Sequence, residues 1–262
     1  YDAGDRRRCE VTSDVSLDNV SNGGCLVHGI VRVQIVDCRL GNLFSVRQAC
    51  LKAGLDAFVS SSAETLDEVD GIILPGVGAF GHAMQNLQEL KLIDPLIRIV
   101  REGKPLLGIC LGMQLLFDES EEFGTNSGLG LIGGNVRRLP HQTGSSANLR
   151  VPNVGWHRVE LSAERMNEPG SQMIRNGAFM YFVHSYRVIP SEESDILTFT
   201  EYGQLRYCSA VQKNNILGVQ FHPERSANDG IQFYRNWAGL IRRTSENHAE
   251  SDSRFATCCL YS

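Results

Sequence analysis

The chain has 262 residues, 42% of them hydrophobic and 21% charged, which is ordinary for a folded domain and argues against disorder or a repeat array. Its formal net charge is -5 and no Lys/Arg stripe is interleaved with aromatics, so the footprint of a nucleic-acid binder is missing. Apolar stretches such as 71–74 and 106–110 fall far short of the roughly 18 residues of a membrane span. Eight cysteines stand at positions 9, 25, 38, 50, 110, 208, 258 and 259, without CxxC pairs, His-rich metal spacing or the density of a disulfide scaffold. A reducing cytosol fits that usage, and no metal is expected. The chain starts at Tyr1 and carries Arg6-Arg7-Arg8 with no apolar segment behind, so neither a signal peptide nor a transit peptide is legible and the end reads as truncated or processed.

Residues 1–31 are rich in Gly, Ser and Asp without sustained periodicity and read as a mobile extension. One domain is expected over 32–243, and a C-terminal tail over 244–262. Val33-Gln34-Ile35-Val36 predicts a strand, followed by a helix with Leu43, Val46, Cys50 and Ala53 on its apolar face and Gly54 as its stop. Gly71 to Leu74 predicts a short buried strand. Asp94-Pro95 has the chemistry of an N-cap and a first-turn proline, and Gly103 ends that helix. Leu106 to Ile109 is the next strand, and Met113 to Phe117 reads as the helix behind it.

Beyond that helix the pattern changes. Strand-like runs at Val136, 151–159, 179–188, 208–212 and 216–221 have few helices between them. A final helix carries Ile231, Tyr234, Trp237 and Ile241 on one face. The expectation is a three-layer α/β sandwich around a mixed, mostly parallel sheet with an antiparallel extension. Trp156 and Trp237 read as core or interface packing, and Asp118 to Glu122 as a solvated helix end that could instead meet a basic partner surface.

Three short segments carry chemistry. Gly108-Ile109-Cys110-Leu111-Gly112 is the thiol form of the G-x-S-x-G elbow, in which glycines make room for a strained nucleophile and a helix N-terminus favours a thiolate. Alone, the pentapeptide equally suits a small buried residue ending a core strand. His222-Pro223-Glu224 follows an apolar strand, and a period of two points residues 222 and 224 to one side, so the carboxylate can orient the imidazole while its other nitrogen faces a thiol. A strand-end histidine beside a surface glutamate is the plainer alternative. Pro75-Gly76-Val77-Gly78 closes another strand and can turn backbone N–H groups toward a developing oxyanion, helped by the N–H of Leu111, or it is simply a Gly-rich turn.

Loop, elbow and His/Glu pair in this order resemble the class I (triad) glutamine amidotransferases. The finer details, L-G-N-L at 40–43, L-P-G-V-G-A-F at 74–80, G-I-C-L-G-M-Q-L-L-F at 108–117, V-G-W at 154–156 and Y-F-V-H-S-Y at 181–186, look like the glutaminase subunits of imidazole glycerol phosphate synthases, over roughly residues 32–242. The resemblance implies Cys110 as nucleophile, His222 as general acid/base and Glu224 as its orienter. It implies Gly76, Val77 and Leu111 around the oxyanion hole, and Gly78, Gln114, His184, Ser185 and Tyr186 around glutamine. It further implies a heterodimer with a (β/α)8-barrel cyclase that receives the ammonia, and no cofactor.

Two segments depart from that pattern. Asp37-Cys38-Arg39 stands where the family usually shows Asp-Tyr-Gly, and Asn153 follows Pro152 where a histidine is common. Both bear on the partner rather than the triad, which keeps open a sugar-modifying, amidine-forming synthase as the recipient of the ammonia. A cysteine protease or amidase of the same architecture and a binding module without chemistry are the rivals from other classes.

Overall fold

The computed structural model describes residues 29–143, 147–166 and 169–258. Nearly all of the predicted N-terminal extension, with Arg6 to Arg8, Cys9 and Cys25, lies outside the described residues, as does Cys259.

Strand β1 (Arg32–Val36) leads into helix α1 (Leu43–Lys52), where the Asn42 side chain accepts the N–H of Ser45 at 3.2 Å as an N-cap. Strands β2 (Asp56–Ser60) and β3 (Gly71–Gly76) pair in parallel with the two edges of β1. Helices α2 (Phe80–Glu89) and α3 (Ile93–Arg101) bring the chain back to β4 (Leu106–Cys110), parallel to β3. The third helix starts one residue before Asp94, with Leu92 at its N-cap, so Asp94 sits in the first turn and not at the cap.

The predicted helix at 113–117 is displaced. Helix α4 (Leu111–Leu115) is a single turn, and Phe117 already opens strand β5 (Phe117–Ser120). All of residues 111–117 are buried, so no polar face betrays a period and helix and strand look alike in the sequence. The acidic run 118–122 is therefore not a helix end but mostly strand. Strands β6 (Asn126–Ser127) and β7 (Ile132–Arg138) extend β5 into a small sheet.

Strands β8 (Gln142–Thr143) and β9 (Ala147–Asn148) pair with each other, and then come β10 (Asn153–Leu161), β11 (Phe179–His184), β12 (Tyr186–Pro190), β13 (Ile196–Tyr202), β14 (Leu205–Lys213) and β15 (Ile216–Val219). The nine-stranded sheet has the order β11-β10-β13-β14-β15-β4-β3-β1-β2, and β12 crosses to the small sheet beside β7. Its β15-β4-β3-β1-β2 half is parallel, whereas the β11 to β15 side is antiparallel throughout.

Alternation along the central strands makes two cores. Ile73, Leu107, Ile109 and Val219 face the layer of α1 and α5 (Ala227–Cys258), whereas Ile72, Leu74 and Leu106 face the layer of α2, α3 and α4. Tyr234, Trp237 and Ile241 of α5 are buried as predicted, and Gly71 lets Trp237 lie against β3, because a Cβ there would come within 3.3 Å of the indole. The fifth helix runs on past residue 243 as far as Cys258. No glycine or proline interrupts that stretch. Trp156 is 50% exposed on β10, which removes the core reading for that residue. Among the described residues no helix is long and apolar enough to cross a membrane.

Candidate active site

The parallel strands deliver the chemistry at their carboxyl ends, where ligands bind in open α/β sheets. Gly76 of β3 is the register partner of Cys110 of β4, and β15 runs alongside, so 76, 110 and 220–224 leave the sheet together. Cys110 adopts φ 53° and ψ −107°, a conformation that a non-glycine residue keeps only when its surroundings hold it. The flanking glycines make this possible. A Cβ at Gly108 would sit 2.9 Å from the Gly112 carbonyl oxygen, and one at Gly112 would overlap the carbonyl oxygen of Leu74. The helix behind the elbow is only one turn, so its dipole gives the sulfur less support than the sequence pattern implies.

The side chains of His222 and Glu224 are both buried, and the imidazole Nδ1–H donates to Glu224 Oε1 at 2.8 Å. The period-two geometry bends after residue 222, where Pro223 to Arg225 form a 3-10 turn that brings the carboxylate back onto the ring. Nε2 is left for the cysteine. Burial disfavours the imidazolium, but the charge and hydrogen bond of Cys110, together with Glu224, outweigh it and raise the His222 pKa.

A cavity of about 280 Å³ opens on Cys110, near the lower end of ~300–1,000 Å³ for ligand pockets. Val77, Gly78, Leu111, Gln114, His184, Ser185 and Tyr186 line it, and Gly76 borders a smaller hollow of about 70 Å³ shared with His222 and Glu224. A larger cleft of about 760 Å³ between α2 and residues 125–128 holds none of these groups, so its size does not make it the site.

His184 lines the cavity with its ring already engaged. Its Nδ1–H donates to the Tyr186 carbonyl at 2.8 Å, and Nε2 lies 3.1 Å from the Tyr207 hydroxyl and 3.2 Å from Asn153 Nδ2. Both ring nitrogens are engaged, so the residue shapes the Ser185-Tyr186 turn rather than offering a free donor. Complete burial lowers its pKa to about 4.

A family model, glutamine amidotransferase class-I, matches residues 34–237. The imidazole glycerol phosphate synthase subunit HisH of Geobacter sulfurreducens is 39% identical over 212 residues, covering 80% of this chain and all of that protein. HisH of Bacillus subtilis is 45% identical over 199 residues, covering 76% and 92%. The chain belongs to the class-I glutamine amidotransferases. Solved structures share the fold at lower identity. PurLQS from Thermotoga maritima superposes with a TM-score of 0.62 at 18% identity, covering 81% of this chain and 100% of that one. The glutaminase domain of Trypanosoma brucei CTPS with bound acivicin gives 0.56 at 20%, covering 81% and 94%.

Two residues near the nucleophile of this amidotransferase, one lining the cavity and one buried behind it, escaped the sequence pattern. Glu122 lines the cavity, and its Oε2 accepts the N–H of Phe80 at 2.6 Å, capping α2 just behind the Pro75–Gly78 loop. Had the acidic run been recognised as a strand and its return, a carboxylate at the rim would have been the signal. Gln220, fully buried, places Nε2 3.7 Å from Cys110 Sγ. Its only sequence signal is its place two residues before His222.

Proposed function

We infer that this chain is the glutaminase subunit of an imidazole glycerol phosphate synthase, releasing ammonia from glutamine and handing it to a cyclase subunit. The observation that carries the reading is Cys110 held on a strained elbow beside a buried His222–Glu224 pair. In this reading the catalytic unit is the domain over 32–243. Cys110 thiolate adds to the side-chain carboxamide carbon, and the N–H groups of Val77 and Leu111, with Gly76 shaping the loop, hold the oxyanion. His222, carrying the proton taken from the thiol, delivers it to the departing ammonia. A γ-glutamyl thioester remains, and water deprotonated by His222 releases glutamate and regenerates the thiolate. Glu224 keeps Nδ1–H oriented through both halves.

Gly78, Gln114 and the 184–186 turn would hold the amino acid, and the Glu122 carboxylate would face its ammonium group. The partner is proposed to be a (β/α)8-barrel cyclase in a heterodimer. Val154, Trp156 and Phe179 form an exposed apolar face on the β10–β11 edge, continuous with Val183, which lines the cavity. A docked subunit there would cover the route out of the site.

Glutamate release by the purified chain, alone and with the cyclase subunit carrying its ribonucleotide ligand, tests the reading. Slow turnover alone and strong stimulation in the complex are expected, with both abolished in Cys110→Ala. Glutamine hydrolysis that survives Cys110→Ala would defeat the triad. A functional triad that no cyclase stimulates would move the partner to a sugar-modifying synthase.

A further inference from the structure

Besides His222 and the Val183 carbonyl, Cys110 has a polar neighbour whose polarity is dictated from a distance. The Tyr186 carbonyl can only accept hydrogen bonds, and Gln114 Nε2 donates to it at 3.1 Å. The same NH2 group donates to Gln220 Oε1 at 3.0 Å. With its oxygen so engaged, the Gln220 amide must turn its NH2 toward the sulfur, at 3.7 Å. A flipped amide would set donor against donor at Gln114 and an oxygen against Cys110, and a buried unmade hydrogen bond costs roughly 1–3 kcal/mol. His184 fastens the far end of the relay, because its Nδ1–H shares the Tyr186 carbonyl while Tyr207 and Asn153 occupy Nε2.

We propose that Gln220 is a further catalytic residue, whose side-chain N–H donates to the Cys110 sulfur and stabilises the thiolate. The inference rests on Cys110 being the nucleophile. When the sulfur carries its proton, Sγ–H can donate to the Val183 carbonyl at 3.8 Å. When that proton passes to His222 Nε2, the sulfur becomes a strong acceptor and the Gln220 N–H a charge-assisted donor. The neutral thioester sulfur draws on it less. When water opens the thioester, the thiolate is the leaving group, so the same N–H assists both the ionisation that precedes attack and the release. The one-turn helix behind the elbow leaves this contribution to a side chain.

The test follows the rate at which iodoacetamide alkylates Cys110 across a pH series, on the full chain, in wild type, Gln220→Met and Gln220→Glu. The charged and titratable groups around the sulfur are His222 with Glu224 behind it, His184 from β11 and Glu122 at the cavity rim, and Gln220→Met alters none of them. Labelling of Gln220→Met at neutral pH is expected to slow by roughly tenfold, with the profile displaced about one unit upward. Gln220→Glu should be slower still, and kcat should fall with little change in KM for glutamine. An undisplaced profile in folded Gln220→Met would overturn the proposal.

If neither variant folds, the side-chain amide resonances of Gln220 in the wild-type protein decide. They should shift with the pH of Cys110 ionisation and stay still in Cys110→Ala; resonances that do not respond in wild type sink the assignment. Failure of the parent reading looks different, because glutamine hydrolysis would then persist in Cys110→Ala whatever Gln220 does.

Discussion

The two histidines of the site are held in opposite ways, and the contrast lies in the charge beside each ring. His222 on the triad flank gives Nδ1–H to a carboxylate and keeps Nε2 for a thiol, so its surroundings favour the charged ring. His184 on the pocket flank gives Nδ1–H to a neutral carbonyl and sets Nε2 among a phenol and an amide, so its surroundings forbid the charge. Both are buried, and burial alone would depress both. What differs is a neighbouring negative charge. A histidine that must gain and lose a proton needs such a partner, whereas one that fixes a turn works best as a single neutral tautomer.

The largest effect should come from breaking the triad side of this contrast. In Glu224→Gln the shape is kept but the charge that orients and stabilises the imidazolium is lost, so kcat should fall by about 10³–10⁴-fold. Turnover in the cyclase-stimulated state measures it, and a drop of less than about tenfold would mean that Glu224 is only a surface partner of the ring. The thermal midpoint should move little by comparison, since the side chain still hydrogen-bonds Nδ1.

Next in size is the acid side of the stability curve. An unfolded histidine takes up its proton near pH 6.5, whereas folded His184 resists until about 4, so unfolding binds a proton in that window. Stability from this residue is therefore complete above about 6.5 and is lost as the pH falls toward 4, by roughly 3 kcal/mol if the full shift is realised. The raised pKa of His222 acts with the opposite sign. Its contribution is complete below the unfolded value and is lost as the pH rises through the folded one. Urea midpoints of wild type and His184→Gln at pH 6.5 and 4 separate the two, because the variant should lose less stability on acidification. Equal losses would show that the acid slope comes from other groups.

How much of this was readable beforehand depended on whether a residue acts through its neighbours in the chain. The elbow at 108–112 and the His222–Glu224 pair are local, made within five residues by glycine spacing and a strand end, so the sequence exposed them directly. The relay from His184 through Gln114 to Gln220 joins residues some 70 and 106 positions apart, and each member alone is an ordinary buried polar side chain. Glu122 was hidden for another reason. The run before it is buried on every side, which erases the distinction between helix and strand, and the acidic residues lie in a strand and its return and not at a helix end. Strand β13 (Ile196–Tyr202) is buried on both faces over most of its length, which hides any period of two, and the sheet order places it between β10 and β14.

The smallest effect on the isolated chain should come from Trp156, and its smallness is the point. Trp237 is enclosed between α5 and β3, but Trp156 stands half exposed, touching Tyr181 edge-on with ring centroids 6.0 Å apart. An edge-to-face aromatic contact adds about 0.5–1.5 kcal/mol beyond burial, so Trp156→Ala should cost no more than about 1 kcal/mol in a denaturation experiment. An apolar side chain of this size left in water at the mouth of a site is expected to matter when something covers it, and central aromatic anchors are worth about 2 kcal/mol or more in subunit interfaces. Titrating the cyclase into wild type and Trp156→Ala should therefore show binding weakened at least about thirtyfold while the fold is nearly untouched. Equal affinities would place the partner elsewhere on the surface, and a large loss of stability would return Trp156 to the core reading that its exposure now contradicts.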